Sequence, residues 1–191
     1  MQPTREDAMK LLTEFTQSDS LIKHALAVEA AMRAYARKFG EDEEKWGVVG
    51  LIHDFDYEQN PTWDKHVYEG VRILRERGWP EEIVEGVASH ASYMNIPRDT
   101  PMKKSLFAVD ELTGFISAVA LVRPSKSVMD VEPSSVRKKM KDKAFARAVS
   151  REDIVQGAEA MGIPLDEHIG FVIRAMQSIA EELGLDGASR C

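Results

Sequence analysis

WGVVGLIHD, residues 46–54, is the most apolar run of the chain, and it ends on two adjacent polar residues, His53 and Asp54. By apolarity alone it reads equally as a buried strand or a buried helix. Two features favour the helix. Asp42, Glu43 and Glu44 stand immediately before it, where negative charge is favoured at the positive end of a helix dipole. Counted from those acids, the run also exceeds ten residues, long for a buried strand. The stretch therefore predicts a buried helix whose end carries a histidine and a carboxylate. Burying an unpaired carboxylate is costly, so the pair must either return to solvent or hold something.

Helical punctuation continues on both sides. The triplet SDS at 18–20 caps an apolar-periodic run from Leu21 to Phe39, which Gly40 stops. A third helix is expected from about Trp63 to Arg77, ended by Gly78, and a fourth opens at Pro80, Glu81 and Glu82 and reaches about Ser92. Thr100-Pro101 opens a fifth, which Pro124 must end. Residues 124–134 read as an irregular loop, followed by helices at about 135–148 and, after Ser150 with Asp153 as a capping pair, at 151–161. The last helix is expected from Leu165 to Leu183, with an apolar seam that could be internal or the face of a homodimer. No strand, repeat or linker stands out. The reading is all-α and single-domain.

Composition sets bounds on function. The chain has 191 residues, 43% hydrophobic and 30% charged, enough for a genuine core. No apolar run approaches the roughly 20 residues of a membrane span, and the charged start MQPTREDAMK does not resemble a signal peptide. The one cysteine, Cys191, reads as a tail thiol, so neither a disulfide within the chain nor a cysteine metal cage is expected. A cytoplasmic, reducing location follows as the expectation. The net charge of −7 disfavours a nucleic-acid polymer as partner. The segment from Arg123 to Arg151, however, carries nine Lys or Arg against three acids. That segment is either a local anion site or a solvated basic helix.

Four of the five histidines lie in the first half, on separate expected helices. His24 heads the series His24, Val28, Ala31, Tyr35; His66 heads Gly70 and Ile73; His90 ends a series begun by Ile83 and Val87. Asp110 shares a face with Leu106, Gly114 and Ser117. Each points inward. A single inward histidine is more often a satisfied core residue than a ligand. Six such groups, His24, His53, His66, His90, Asp54 and Asp110, would need six separate buried arrangements in one small core. One cation site would satisfy them together, and facing helices of a bundle often build such a site. Neighbouring residues of an ideal helix face different ways. His53 and Asp54 can thus share an ion only where the helix loosens, and there Asp54 could bridge two.

At this point the chain resembles a known family. His24, the pair His53-Asp54 and the distal Asp110 are similar in order and spacing to the signature of the HD superfamily of metal-dependent phosphohydrolases. The resemblance covers about residues 20–125, and the remainder, about 126–185, would be a helical extension packed on that core within one domain. It implies an HD-type helical bundle. It also implies a first metal held by His24, His53, Asp54 and Asp110, a bridging role for Asp54, and a second metal completed by His66 and His90. His53 and Asp54 would be the catalytic pair. The family often has a glycine and a lysine soon after this pair, whereas this chain reads HDFDYEQN, leaving Asp56 and Glu58 without a role. The region after Arg123 resembles HDIG-type members and transfers no defined activity.

Two ions roughly 3.5–4 Å apart can clamp a phosphoryl oxygen and generate a metal-activated hydroxide at neutral pH. Nitrogen and oxygen donors suit iron, manganese, cobalt, nickel or zinc. Basic groups would neutralise charge on the phosphoryl oxygens, and Arg123 and Lys126 in RPSK are the candidates for binding a small phosphorylated metabolite or nucleotide. Lys103 and Lys104 read as exposed first-turn lysines. His168 reads as a surface histidine, and Trp63 and Tyr57 as packing on the bundle rather than stacking a base. Two alternatives to hydrolysis stand beside it: a di-iron oxygenase of the same fold, and a non-catalytic metal-stabilised ligand-binding bundle.

Overall fold

The computed structural model describes residues 2–188; Cys191 lies outside them. Among the described residues there is no strand, only one isolated β-bridge between Ser127 and Asp186. The helices are α1 (Arg5–Phe15), α2 (Asp19–Phe39), α3 (Glu43–Ile52), α4 (Tyr68–Glu76), α5 (Glu81–Ala88), α6 (Pro101–Leu121), α7 (Pro133–Met140), α8 (Arg151–Met161), α9 (Leu165–Gln177) and α10 (Ala180–Leu183). The described chain divides into two compact units, with the boundary between Phe107 and Ala108 inside α6.

In the first unit α3 is the central element, buried continuously from Trp46 to Ile52 and packed against α1, α2 and α5. It is a helix, as its acidic start requires: Asp42 caps it by accepting from the Lys45 amide. Gly50 permits the approach of α2, because a Cβ there would lie 3.0 Å from Met32 Cγ and 3.1 Å from the Val28 carbonyl oxygen. α2 begins close to its expected start and ends at the left-handed Gly40. Glu29 of α2 is buried and accepts from Arg5 Nε at 2.7 Å and Arg33 Nε at 2.9 Å, tying α1 to α2.

Local expectations change in this unit. α1 was not anticipated, although Thr4 and Asp7 form a complete capping box before it. The third expected helix starts only at Tyr68, because Val67 takes φ +65°, incompatible with a continuous helix through His66. Lys103 is buried, not exposed: it pairs with Glu85 at 3.0 Å and Asp99 at 3.1 Å.

In the second unit α9 is the hub, packed against α7, α8 and α10. Its seam of Ile169, Val172, Ile173 and Met176 is internal to the chain. The expected long last helix breaks at Ser178–Ile179 and resumes as α10. His168 is fully buried rather than on the surface, its Nε2 donating to the Ala108 carbonyl at 2.8 Å, and burial pushes its pKa down. Part of the basic segment is structural. The Arg151 guanidinium donates to the carbonyls of Asp142, Phe145, Ala146 and Val149 and lies 4.8 Å from the Phe115 ring centre. That one arginine organises the turns 141–150.

Candidate metal centre

His24 comes from the second turn of α2, His53 is the C-cap of α3, and Asp54 follows in the loosening turn. His90 lies two residues beyond α5, and His66 sits in the turn ahead of α4. The sequence placed His66 on a helix face; it reaches the same region from a turn instead. The four imidazoles form a continuous cluster, with ring centres 5.1 Å apart for His24 and His53, 5.2 Å for His53 and His90, and 5.7 Å for His66 and His90.

Asp54 stands between two histidine pairs. Its Oδ2 lies 3.4 Å from His53 Nε2 and 3.8 Å from His24 Nε2. Its Oδ1 lies 3.1 Å from His90 Nε2 and 3.2 Å from His66 Nε2. Each carboxylate oxygen therefore belongs to a different nitrogen set. Within each set the potential ligand atoms lie within 4.8 Å of one another.

The ring orientations are set from behind. His53 Nδ1 donates to the Gly50 carbonyl at 2.7 Å, and His90 Nδ1 donates to the Val87 carbonyl at 2.6 Å. A carbonyl oxygen only accepts, so each Nδ1 carries a proton and Nε2 is the atom left facing Asp54, donating to the carboxylate when it is protonated and offering its lone pair when an ion displaces that proton. The Nε2 atoms of His24 and His53 approach to 3.2 Å. Lone pairs converging with a carboxylate oxygen are a donor set suited to a divalent transition ion. The residues present fit the group.

Asp56 is the residue that sequence reasoning left without a role. It is 1% exposed and accepts from His66 Nδ1 at 3.1 Å and from the Val67 amide at 2.9 Å. Its spacing from His53-Asp54 was visible, but its partners lie ten or more residues on, in a turn the sequence read as helix. Glu58, the other unassigned acid, accepts from the amides of Gln17 and Ser18 and so anchors the start of α2.

Electrostatics follow from these contacts. Burial opposes ionisation of Asp54, but the adjacent His53 charge and hydrogen bonds from His53, His66 and His90 outweigh it and hold the carboxyl well below its ordinary value. Burial likewise disfavours charge on His66, yet its bonds to Asp54 and Asp56 raise its pKa to about 9. Tyr93 donates to the His66 carbonyl at 3.2 Å, and burial with the charges of Asp56 and Asp54 pushes its hydroxyl up to about 12. The Tyr57 ring meets the His66 ring edge-on at 5.1 Å. Trp63, expected to pack on the bundle, is 77% exposed.

Asp110 lies on α6 in the second unit, partly buried, its carbonyl accepting from Thr113 Oγ1 at 2.9 Å. Arg123 and Lys126 also belong to the second unit. Arg123 Nη1 donates to Ser135 Oγ at 3.3 Å and lines a cavity with Met129, Asp130 and Glu132, whereas Lys126 is exposed at φ +50°.

No helix is long and apolar enough to cross a membrane among the described residues. Comparison with curated proteins and with solved structures gives no match. The HD-domain family model matches residues 21–156. With most of its length covered by that match and a histidine–aspartate cluster fit for a metal, the chain belongs to the HD-domain family, whose members are typically metal-dependent hydrolases.

Proposed function

We propose that the chain is a phosphohydrolase of small phosphorylated metabolites or nucleotides, working with two divalent transition ions in the cytoplasm. His24, His53, Asp54 and Asp110 would hold one ion, and Asp54, His66 and His90 the other. Asp110 enters this set by its place in the family's motif. One observation carries the reading: the two oxygens of Asp54 face two different histidine pairs. A terminal ligand or an ordinary buried ion pair would have no need of that division.

When bound, such ions supply Lewis acidity toward a phosphoryl oxygen and bring the pKa of water toward neutrality. The chain's own residues prepare for this. Backbone carbonyls keep the His53 and His90 protons on Nδ1, so their Nε2 atoms are presented without reorganisation. Asp54 stays ionised at neutral pH because its histidine neighbours stabilise the charged form. Arg123 and Lys126 are assigned to the substrate's phosphoryl oxygens on their charge and their position after α6. The donor set suits iron, manganese, cobalt, nickel or zinc.

The test is hydrolysis of p-nitrophenyl phosphate, its bis-ester and a nucleotide panel, with and without chelator. Chelator-sensitive turnover that Asp54→Ala abolishes is the expected result. Turnover surviving that substitution would refute the proposal, and chelator-sensitive oxygen uptake without hydrolysis would move the chain to the oxygenase reading.

A further inference from the structure

His66 approaches Asp54 from a turn, with no helix to fix its ring, so something else must hold it. Asp56 bonds to His66 itself and to two amides that follow it. Its Oδ1 lies 3.1 Å from His66 Nδ1, while its Oδ2 accepts from the Val67 amide at 2.9 Å and the Gly70 amide at 3.3 Å. Those two amides are the N-cap and third positions of α4, which has no side-chain cap of its own. Val67, a β-branched residue at φ +65°, keeps its strained backbone beside this bond. The carboxylate also fits closely: a Cβ at position 70 would lie 3.0 Å from both Asp56 Cγ and Oδ1.

We infer that Asp56 is a positioning residue for the second ion, selecting the His66 tautomer that can ligate it; this rests on the two-ion reading above. Asp56 Oδ1 and Asp54 Oδ1 both only accept, so the metal-free ring donates to each; an ion that displaces the Nε2 proton leaves the Nδ1 proton on Asp56. Its Nε2, 3.2 Å from Asp54 Oδ1, is then the atom left to bind metal. The substitution Asp56→Asn would reverse the choice without dismantling the turn. Two amide donors, Val67 and Gly70, face one oxygen, so the carbonyl oxygen of the new side-chain amide must take that side. Its NH2 group then faces His66 Nδ1 and forces the proton onto Nε2. One atom changes, the cap survives, and the ligand is lost.

The experiment measures metal content and stepwise affinity, with zinc or cobalt as the probe, for the wild-type chain, Asp56→Asn and the control Glu58→Gln. Wild type and the Glu58 variant should bind two ions per chain. Asp56→Asn should keep one and weaken the second by roughly 10–100-fold, the range for removing a group that orients a ligand, with helix content by circular dichroism unchanged. Two ions in Asp56→Asn at wild-type affinity would overturn the inference and leave the two-ion reading standing. Fewer than two in the wild type would overturn both. Should the variant fail to fold, the imidazole 15N spectrum of the zinc-loaded wild type decides, with the His66 signals identified by their loss in His66→Gln. Protonated Nδ1 with ligated Nε2 is expected at His66; the reverse assignment overturns the inference.

Discussion

Asp54 is shared by both nitrogen sets and His90 serves only one, so removing each should have unequal consequences that a melting experiment can read. An ion at about 100 times its dissociation constant stabilises the folded chain by about 2.7 kcal/mol. For a chain of this size each kcal/mol moves the melting temperature by about 2–4 °C, giving roughly 5–11 °C per ion. The wild type should therefore melt roughly 10–20 °C lower after chelation, His90→Ala should show about half that difference, and Asp54→Ala should show almost none. Comparing each variant with and without chelator cancels whatever the substitution does to the metal-free fold. The assay is calorimetry or dye-monitored melting at fixed free metal, supported by elemental analysis. Equal losses in His90→Ala and Asp54→Ala would refute the shared-carboxylate argument, as would a full metal shift in Asp54→Ala.

The metal-free chain should also respond to pH through His66. Its folded pKa of about 9 lies above the ordinary value of 6.5, so the protonated ring stabilises the fold fully below pH 6.5, and that contribution fades as pH rises through about 9. Melting the chelated protein across this range should reveal the loss. Metal must displace the same proton, so second-ion affinity should rise by about tenfold per pH unit between about 7 and 9. Glu29→Ala should destabilise by about 1–3 kcal/mol in urea unfolding, because it removes the buried carboxylate that Arg5 and Arg33 share, although Arg33 keeps its bond to Glu44 at 2.9 Å. Gly70→Ala crowds Asp56 at a cost of about 1–3 kcal/mol, less about 1 kcal/mol of improved helix propensity, so a net loss near 1 kcal/mol is expected. A gain in stability there would mean that Asp56 is free to move.

How far the sequence speaks depends on the range of the force behind each feature. Helix ends at Gly40, Asp42 and Ser150 were legible because capping acts over three or four residues. The box at Thr4 and Asp7 is equally local. Trp63 and His168 were misplaced in opposite directions, one expected buried and found exposed, the other expected exposed and found buried. Neither residue's neighbours in sequence say which face another element will cover. Lys103 failed for the same reason, since one of its partners is Glu85, eighteen residues earlier.

From the chain alone came the all-α class and the residue types that could hold an ion, because hydrophobic periodicity and a recurring order of histidines and carboxylates are properties of the linear string. Only the tertiary structure set Asp54 with one oxygen toward each histidine pair, pinned His53 and His90 by their backbone carbonyls, and put Asp56 behind His66. The division is physical. A spacing can say that a group faces inward, but the direction of a lone pair depends on a hydrogen-bond partner that folding brings in from elsewhere, and lone-pair direction is what a metal site requires.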